Sequence, residues 1–166
     1  MAYEQGVPMP YEMAGTHSGA LGATFENRII MTNRLYQNDR LGVVKKNYPK
    51  AARIRGRLQY EAATTVDFDG YLKDVGFVAF EAKTTQEAKW RVAGDDLGQF
   101  CYLLRGQRET SRQAARFFYL IEQRSTGRVF LAENLEEMSN SGFYEFNSDH
   151  IVPQKNVMLD YRSALR

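Results

Sequence analysis

Apolar positions follow two periods along this chain, and the change from one to the other divides it into elements. From Thr24 onward, Phe25, Ile29, Thr32 and Tyr36 fall on one face at helical spacing, widened by Leu35. That pattern predicts a helix from about Thr24 to Asn38, stopping before Gly42. LGVVKK then reads as a short strand, and VDFDGYL and GFVAFEAK as two more, separated by Lys73, Asp74 and Val75. So short a connection predicts a hairpin. A second helix is predicted from Asp96 to Arg108, with Leu97, Cys101 and Leu104 inward. RFFYLIE and GRVFLA read as strands joined across Gln123 to Thr126, and Leu135 to Met138 as a short helix. The stretch 45–60 holds Pro49 and Gly56 and predicts a projecting loop or irregular ribbon. Residues 1–21 mix Gly, Pro, Ser and Met without period and read as a flexible arm before a single domain over 22–166. The last thirty residues are too weakly patterned to predict an element.

Composition adds bounds rather than identity. At 166 residues, with 43% hydrophobic and 25% charged, the chain has the make-up of one globular domain with a proper core. No apolar run is long enough for a membrane span, and MAYEQGVPMPYEMAG has neither the basic start nor the apolar stretch of a signal peptide. A single cysteine, Cys101, excludes an internal disulfide and fits a reducing cytoplasm, as a small core residue on its helix. His17 and His150 are too few and too separate for a zinc site.

Net charge is only +2, but it is unevenly spread. KKNYPKAARIRGR carries six positive residues and no acidic one: Lys45, Lys46, Lys50, Arg53, Arg55 and Arg57. If the segment is extended, Arg53, Arg55 and Arg57 fall on one side, an arrangement suited to a row of phosphates. The plainer alternative is a solvated face.

Chemistry concentrates in FVAFEAKTT, where Glu81 and Lys83 follow an apolar strand that wants burial. An ion pair at a strand end would account for them. The hairpin offers more. With a three-residue loop Leu72 pairs with Gly76, and counting back sets Asp67 opposite Glu81, two carboxylates roughly 5 Å apart on one face. A two-residue loop would shift the register by one and separate them. Paired carboxylates repel unless a cation lies between them. Lys83 is one candidate, and a divalent metal taking oxygen ligands at about 2.1 Å is a better one. A metal, two acids and a lysine make a site for phosphodiester hydrolysis, the metal polarising the phosphoryl oxygen and activating water.

These residues resemble the PD-(D/E)xK nuclease core, and more narrowly RecU-type Holliday junction resolvases, including phage-encoded relatives. GATFENRIIMTNRLY is similar to the family's opening helix, with Glu26 at its acidic position and Thr32-Asn33 at its Thr-Asn pair. TTVDFDGYL resembles its Thr-Thr-Asp-Tyr-Asn-Gly segment, with Val66 intruding before Asp67, and FEAKTT resembles its Phe-Glu-Ala-Lys-Glu-Thr. Gln99 matches a glutamine the family carries near the site. The likeness spans Gly22 to Ala132, the basic stretch from Lys45 to Tyr60 keeping the character of the family's stalk but not its sequence.

The resemblance implies an α/β, restriction-endonuclease-like fold, a central mixed sheet flanked by helices with a basic stalk. It implies a homodimer that cuts symmetrically related strands of a four-way DNA junction in recombination and repair. Magnesium, or manganese in its place, is expected on Asp67, Glu81 and the carbonyl of Ala82, with Glu26 completing its surroundings. Asp67, Glu81, Lys83, Glu26 and Gln99 are the expected catalytic set. Lys45, Lys46, Lys50, Arg53, Arg55, Arg57 and Thr65 are expected on DNA. No membrane or small-molecule cofactor is expected, and the compartment is the bacterial cytoplasm, or the host's if phage-encoded. A nuclease of this fold acting on other branched or linear DNA is one alternative. A non-catalytic DNA-binding module is another, against which the intact Asp67, Glu81 and Lys83 argue.

Overall fold

The computed structural model describes residues 17–48, 51–54, 57–60, 66–110 and 115–166, the basic hairpin by its backbone alone. Helix α1 (His17–Asn38) is followed by β1 (Gly42–Lys46), the hairpin β2 (Ala51–Ile54) and β3 (Arg57–Tyr60), and strands β4 (Phe68–Leu72) and β5 (Gly76–Thr85). A short β6 (Lys89–Arg91) and helix α2 (Leu97–Glu109) lead to β7 (Arg116–Gln123) and β8 (Arg128–Ala132). Helix α3 (Leu135–Ser141), strands β9 (Phe143–Glu145), β10 (Gln154–Lys155) and β11 (Met158–Leu159), and helix α4 (Tyr161–Leu165) complete it. Among the described residues no helix is long and apolar enough to cross a membrane.

The central sheet runs β1-β4-β5-β7-β8, antiparallel except for the parallel pair β5 and β7. A parallel neighbour needs a crossover, and the segment through α2 supplies it. The β4–β5 register starts at Leu72↔Gly76, as the three-residue connection predicts. Asp74 adopts φ 66 and Val75 N–H donates to the Leu72 carbonyl at 3.1 Å, which closes the turn. Gly70 lets β1 approach: a Cβ there would lie 2.1 Å from the Val43 carbonyl oxygen.

Apolar cores form on both faces of the sheet. On one, Phe68, Phe80 and Phe118 stack across three strands at 5.0 and 4.7 Å, with Tyr161 tilted onto Phe80 at 5.1 Å. Phe25, Ile29 and Tyr36 of α1 pack on this face. On the other, Phe100, Leu103 and Leu104 of α2 meet Trp90, Tyr119 and Ile121.

Several expectations shift. Helix α1 begins at His17 rather than Thr24, because HSGALGA has few large side chains and so shows no period although it is helical. Part of the expected arm is thus helix, and the rest lies outside the described residues. In α2 the inward residues are Phe100, Leu103 and Leu104, while Leu97 is 51% exposed and Cys101 is exposed. Residues three and four apart make the compact stripe, and Leu97 and Cys101 flank it. Cys101 is therefore no core residue.

The basic stretch is a regular antiparallel ribbon with Arg53↔Leu58 and Ile54↔Arg57. Opposed positions share a face and successive positions alternate, so positions 53 and 57 fall on opposite faces. Positions 53 and 57 therefore do not share the one side expected of an unbroken extended segment, and Arg55 lies outside the described residues.

The last thirty residues, unpredicted, are ordered by α1. Leu159 N–H donates to Thr32 Oγ1 at 2.9 Å, the Tyr161 hydroxyl to Asn33 Oδ1 at 2.6 Å, and Arg162 N–H to the Tyr36 hydroxyl at 3.1 Å. The buried Thr32-Asn33 pair is thus an anchor for the chain's end.

Candidate active site

Regular β4–β5 pairing ends at Phe68↔Phe80. One residue earlier the chain bends, and Asp67 Oδ2 accepts from the Ala82 N–H at 3.1 Å. Asp67 therefore reaches Glu81 from a bend at the strand's end rather than as the next rung of the ladder. The predicted closeness is met: Asp67 hydrogen-bonds Glu81 through both its side chain and its backbone.

Glu81 is 3% exposed. Burial, then the Asp67 charge, push its pKa up to about 9, with Lys83 pulling the other way. Its Oε2 has no hydrogen-bond partner. Glu26 reaches in from α1, and its pKa too is raised, first by burial and then by Asp67. Between Glu26 and Asp67 stands Lys46, its Nζ 3.3 Å from Glu26 Oε2 and 3.5 Å from Asp67 Oδ1. The same amine lies 5.3 Å from the centre of the Phe68 ring.

Lys83 pairs with Asp96, Nζ to Oδ1 2.5 Å, at the start of α2. Gln99 sits half-buried in the first turn of that helix. The structure thus gathers Asp67, Glu81, Ala82, Lys83 and Glu26. It also brings in two residues the sequence reading left out, Asp96 and Tyr119. The acid looked like an ordinary charge before a helix, and the tyrosine like one more core aromatic in RFFYLIE.

The residues expected on DNA divide. Lys46, expected on DNA, turns into the acid cluster. Lys45 is exposed and pairs in the ladder with Asp69. Arg53 and Arg57 lie on the hairpin strands, and Lys50, Arg55 and Thr65 lie outside the described residues.

Among the described residues, no three His, Cys, Asp or Glu side chains converge closely enough to chelate an ion unaided. Two carboxylates with main-chain oxygen and water remain, which is the donor set magnesium takes when it keeps much of its hydration shell. The unpaired Glu81 Oε2 beside Asp67 fits that requirement.

The family model described as RecU, recombination protein U, matches residues 20–161. Among solved structures, the chain is similar to Hjc, a Holliday junction resolvase from the archaeal hyperthermophile Archaeoglobus fulgidus, at 12% identity and a TM-score of 0.48. That likeness covers 86% of this chain and 99% of the other. No curated protein sequence matches.

Proposed function

The chain belongs to the RecU family of Holliday junction resolvases, and from that membership we propose that it resolves four-way DNA junctions by paired, magnesium-dependent cuts at the Asp67–Glu81 cluster. The observation that carries the reading is the buried Glu81 carboxyl, held against Asp67 with one oxygen unpaired. No structural gain explains such a pair, since a glutamine or a leucine there would spare the repulsion.

Asp67, Glu81 and the Ala82 carbonyl would hold the cation, magnesium or manganese, with Glu26 nearby directly or through water. When bound, it supplies Lewis-acid polarisation of the scissile phosphate and a water of lowered pKa. Lys83 places an ammonium where charge grows on the phosphorus, and Asp96 fixes that ammonium in place. Gln99, in the first turn of the helix that follows Asp96, would add a polar group beside them. Lys46 offsets the repulsion between Glu26 and Asp67 in the cation-free protein.

Two symmetric cuts require two sites in fixed relation, so the acting species is a homodimer. Val43, Tyr71 and Phe77 support this. They are register partners across β1, β4 and β5, exposed by 57%, 48% and 64%, and form an uncovered apolar row beside an edge strand. Such a row fits a second copy of the same surface. The basic hairpin with Lys45, Lys50, Arg53, Arg55 and Arg57, together with Thr65, then tracks phosphates at the junction centre, in the cytoplasm where that DNA lies. Incubation with an end-labelled four-way junction tests the reading. Paired nicks with magnesium and none with EDTA are expected; uncut junction in both would end it.

A further inference from the structure

Among the described residues, five buried side-chain polar atoms lack a partner, and two of them belong to register partners on adjacent strands: Glu81 Oε2 and the Tyr119 hydroxyl. Tyr119 is the register partner of Glu81 in the parallel β5–β7 ladder, so both side chains leave the sheet on one face. The phenol is fully buried. Its ring is clamped between Trp90 at 4.8 Å and Phe100 at 6.0 Å, which fixes where the hydroxyl points. There it lies in the field of Glu81, Asp96 and Asp67. Burial first, and then those charges, keep it protonated and able to donate.

Ring packing needs no hydroxyl. A phenylalanine would fill the same clamp without stranding a polar group, and a stranded buried hydroxyl costs stability that its removal would return. Neither atom has a protein partner, so both remain available to a small polar body. We propose that Tyr119 Oη and Glu81 Oε2 hold one water between them, and that this water belongs to the hydration shell of the divalent cation at Asp67 and Glu81. The inference rests on the cation reading above. The water accepts from the tyrosine, donates to the carboxylate, and keeps its second lone pair for the cation. Tyr119 is thus a positioning residue, and groups of this kind are worth roughly 10–100-fold in metal affinity.

Tyr119→Phe removes only the hydroxyl. Manganese affinity, read by electron paramagnetic resonance on the full chain, should fall about tenfold. Without metal, the variant should melt no lower than wild type. Junction cleavage should fall at limiting manganese and recover when manganese is raised. In a high-resolution crystal structure of the manganese-bound protein, a water should lie within hydrogen-bond reach of both oxygens. Wild-type binding with an unchanged affinity in the variant would overturn the role of Tyr119 alone, whereas wild type that binds no manganese would overturn the cation reading with it. A clearly lower melting temperature would make the hydroxyl structural, and a site without that water would also defeat the proposal.

Discussion

Phe80 and Glu81 are neighbours on one strand, 0% and 3% exposed, and they point to opposite faces of the same sheet. Phe80 meets rings on three sides, Phe68, Phe118 and Tyr161, each at stacking or tilted distance. Its face is a packing solution in which every neighbour gains. Glu81 meets a second carboxylate, a lysine and an unpartnered phenol. Equal burial thus serves opposite ends. One face holds the sheet together, and the other holds a carboxyl out of water, as the proposed cation site requires.

The sharpest way to break this contrast is to exchange the consequences. Asp67→Asn and Glu81→Gln keep shape and remove ligand charge, so junction cleavage should fall at least about 100-fold while junction binding persists. Gel-based cleavage and mobility-shift assays check both. A variant keeping a tenth of wild-type cleavage would remove its residue from the site. Phe80→Ala should do the reverse, destabilising by about 3–5 kcal/mol in a denaturant titration through the hole it leaves among stacked rings. Wherever that protein remains folded, cleavage should survive.

Acidity separates the two faces next. Glu81 is protonated in the fold up to about pH 9, but ionises near its ordinary value of 4.5 once unfolded. The folded state therefore binds the extra proton between those values, and this group's contribution to stability, complete in acid, declines as pH rises and is lost near 9. Metal-free melting temperature should accordingly fall from about pH 5 toward 9 in wild type, and less steeply in Glu81→Gln. Parallel slopes would mean that Glu81 titrates as an exposed carboxyl.

A smaller effect concerns Asp96→Asn, which leaves Lys83 without its ionic partner. Because both groups are partly exposed, the loss in stability should be under about 1 kcal/mol. Cleavage should still drop several-fold through misplacement of the ammonium, with restoration by Asp96→Glu. Full activity in Asp96→Asn would leave the pair a surface contact.

How far the sequence carried this contrast depends on the physics of each element. The β4–β5 hairpin was legible because a three-residue connection and strand alternation together set the register, and register brought Asp67 to Glu81. The bend at Asp67 was not, since it depends on the Ala82 N–H donating to the Asp67 carboxylate, a single bond that leaves no period. Lys46 was legible as charge but not as a bridge, because a basic run carries no mark of which member folds inward. Asp96 and Tyr119 come from elements whose distance along the chain hides their meeting. The last thirty residues are tied to α1 by single hydrogen bonds to Thr32, Asn33 and Tyr36, and such bonds leave no period to read.

The central claim is that burial holds a proton on Glu81 until a cation replaces it. Titration calorimetry of manganese into the protein at pH 7.5, repeated in buffers of different ionisation enthalpy, reads that exchange directly. The account predicts release of about one proton per cation in wild type, since ligands must be deprotonated to bind, and a Glu81→Gln variant that releases none. Manganese binding by wild type with no proton release would contradict it.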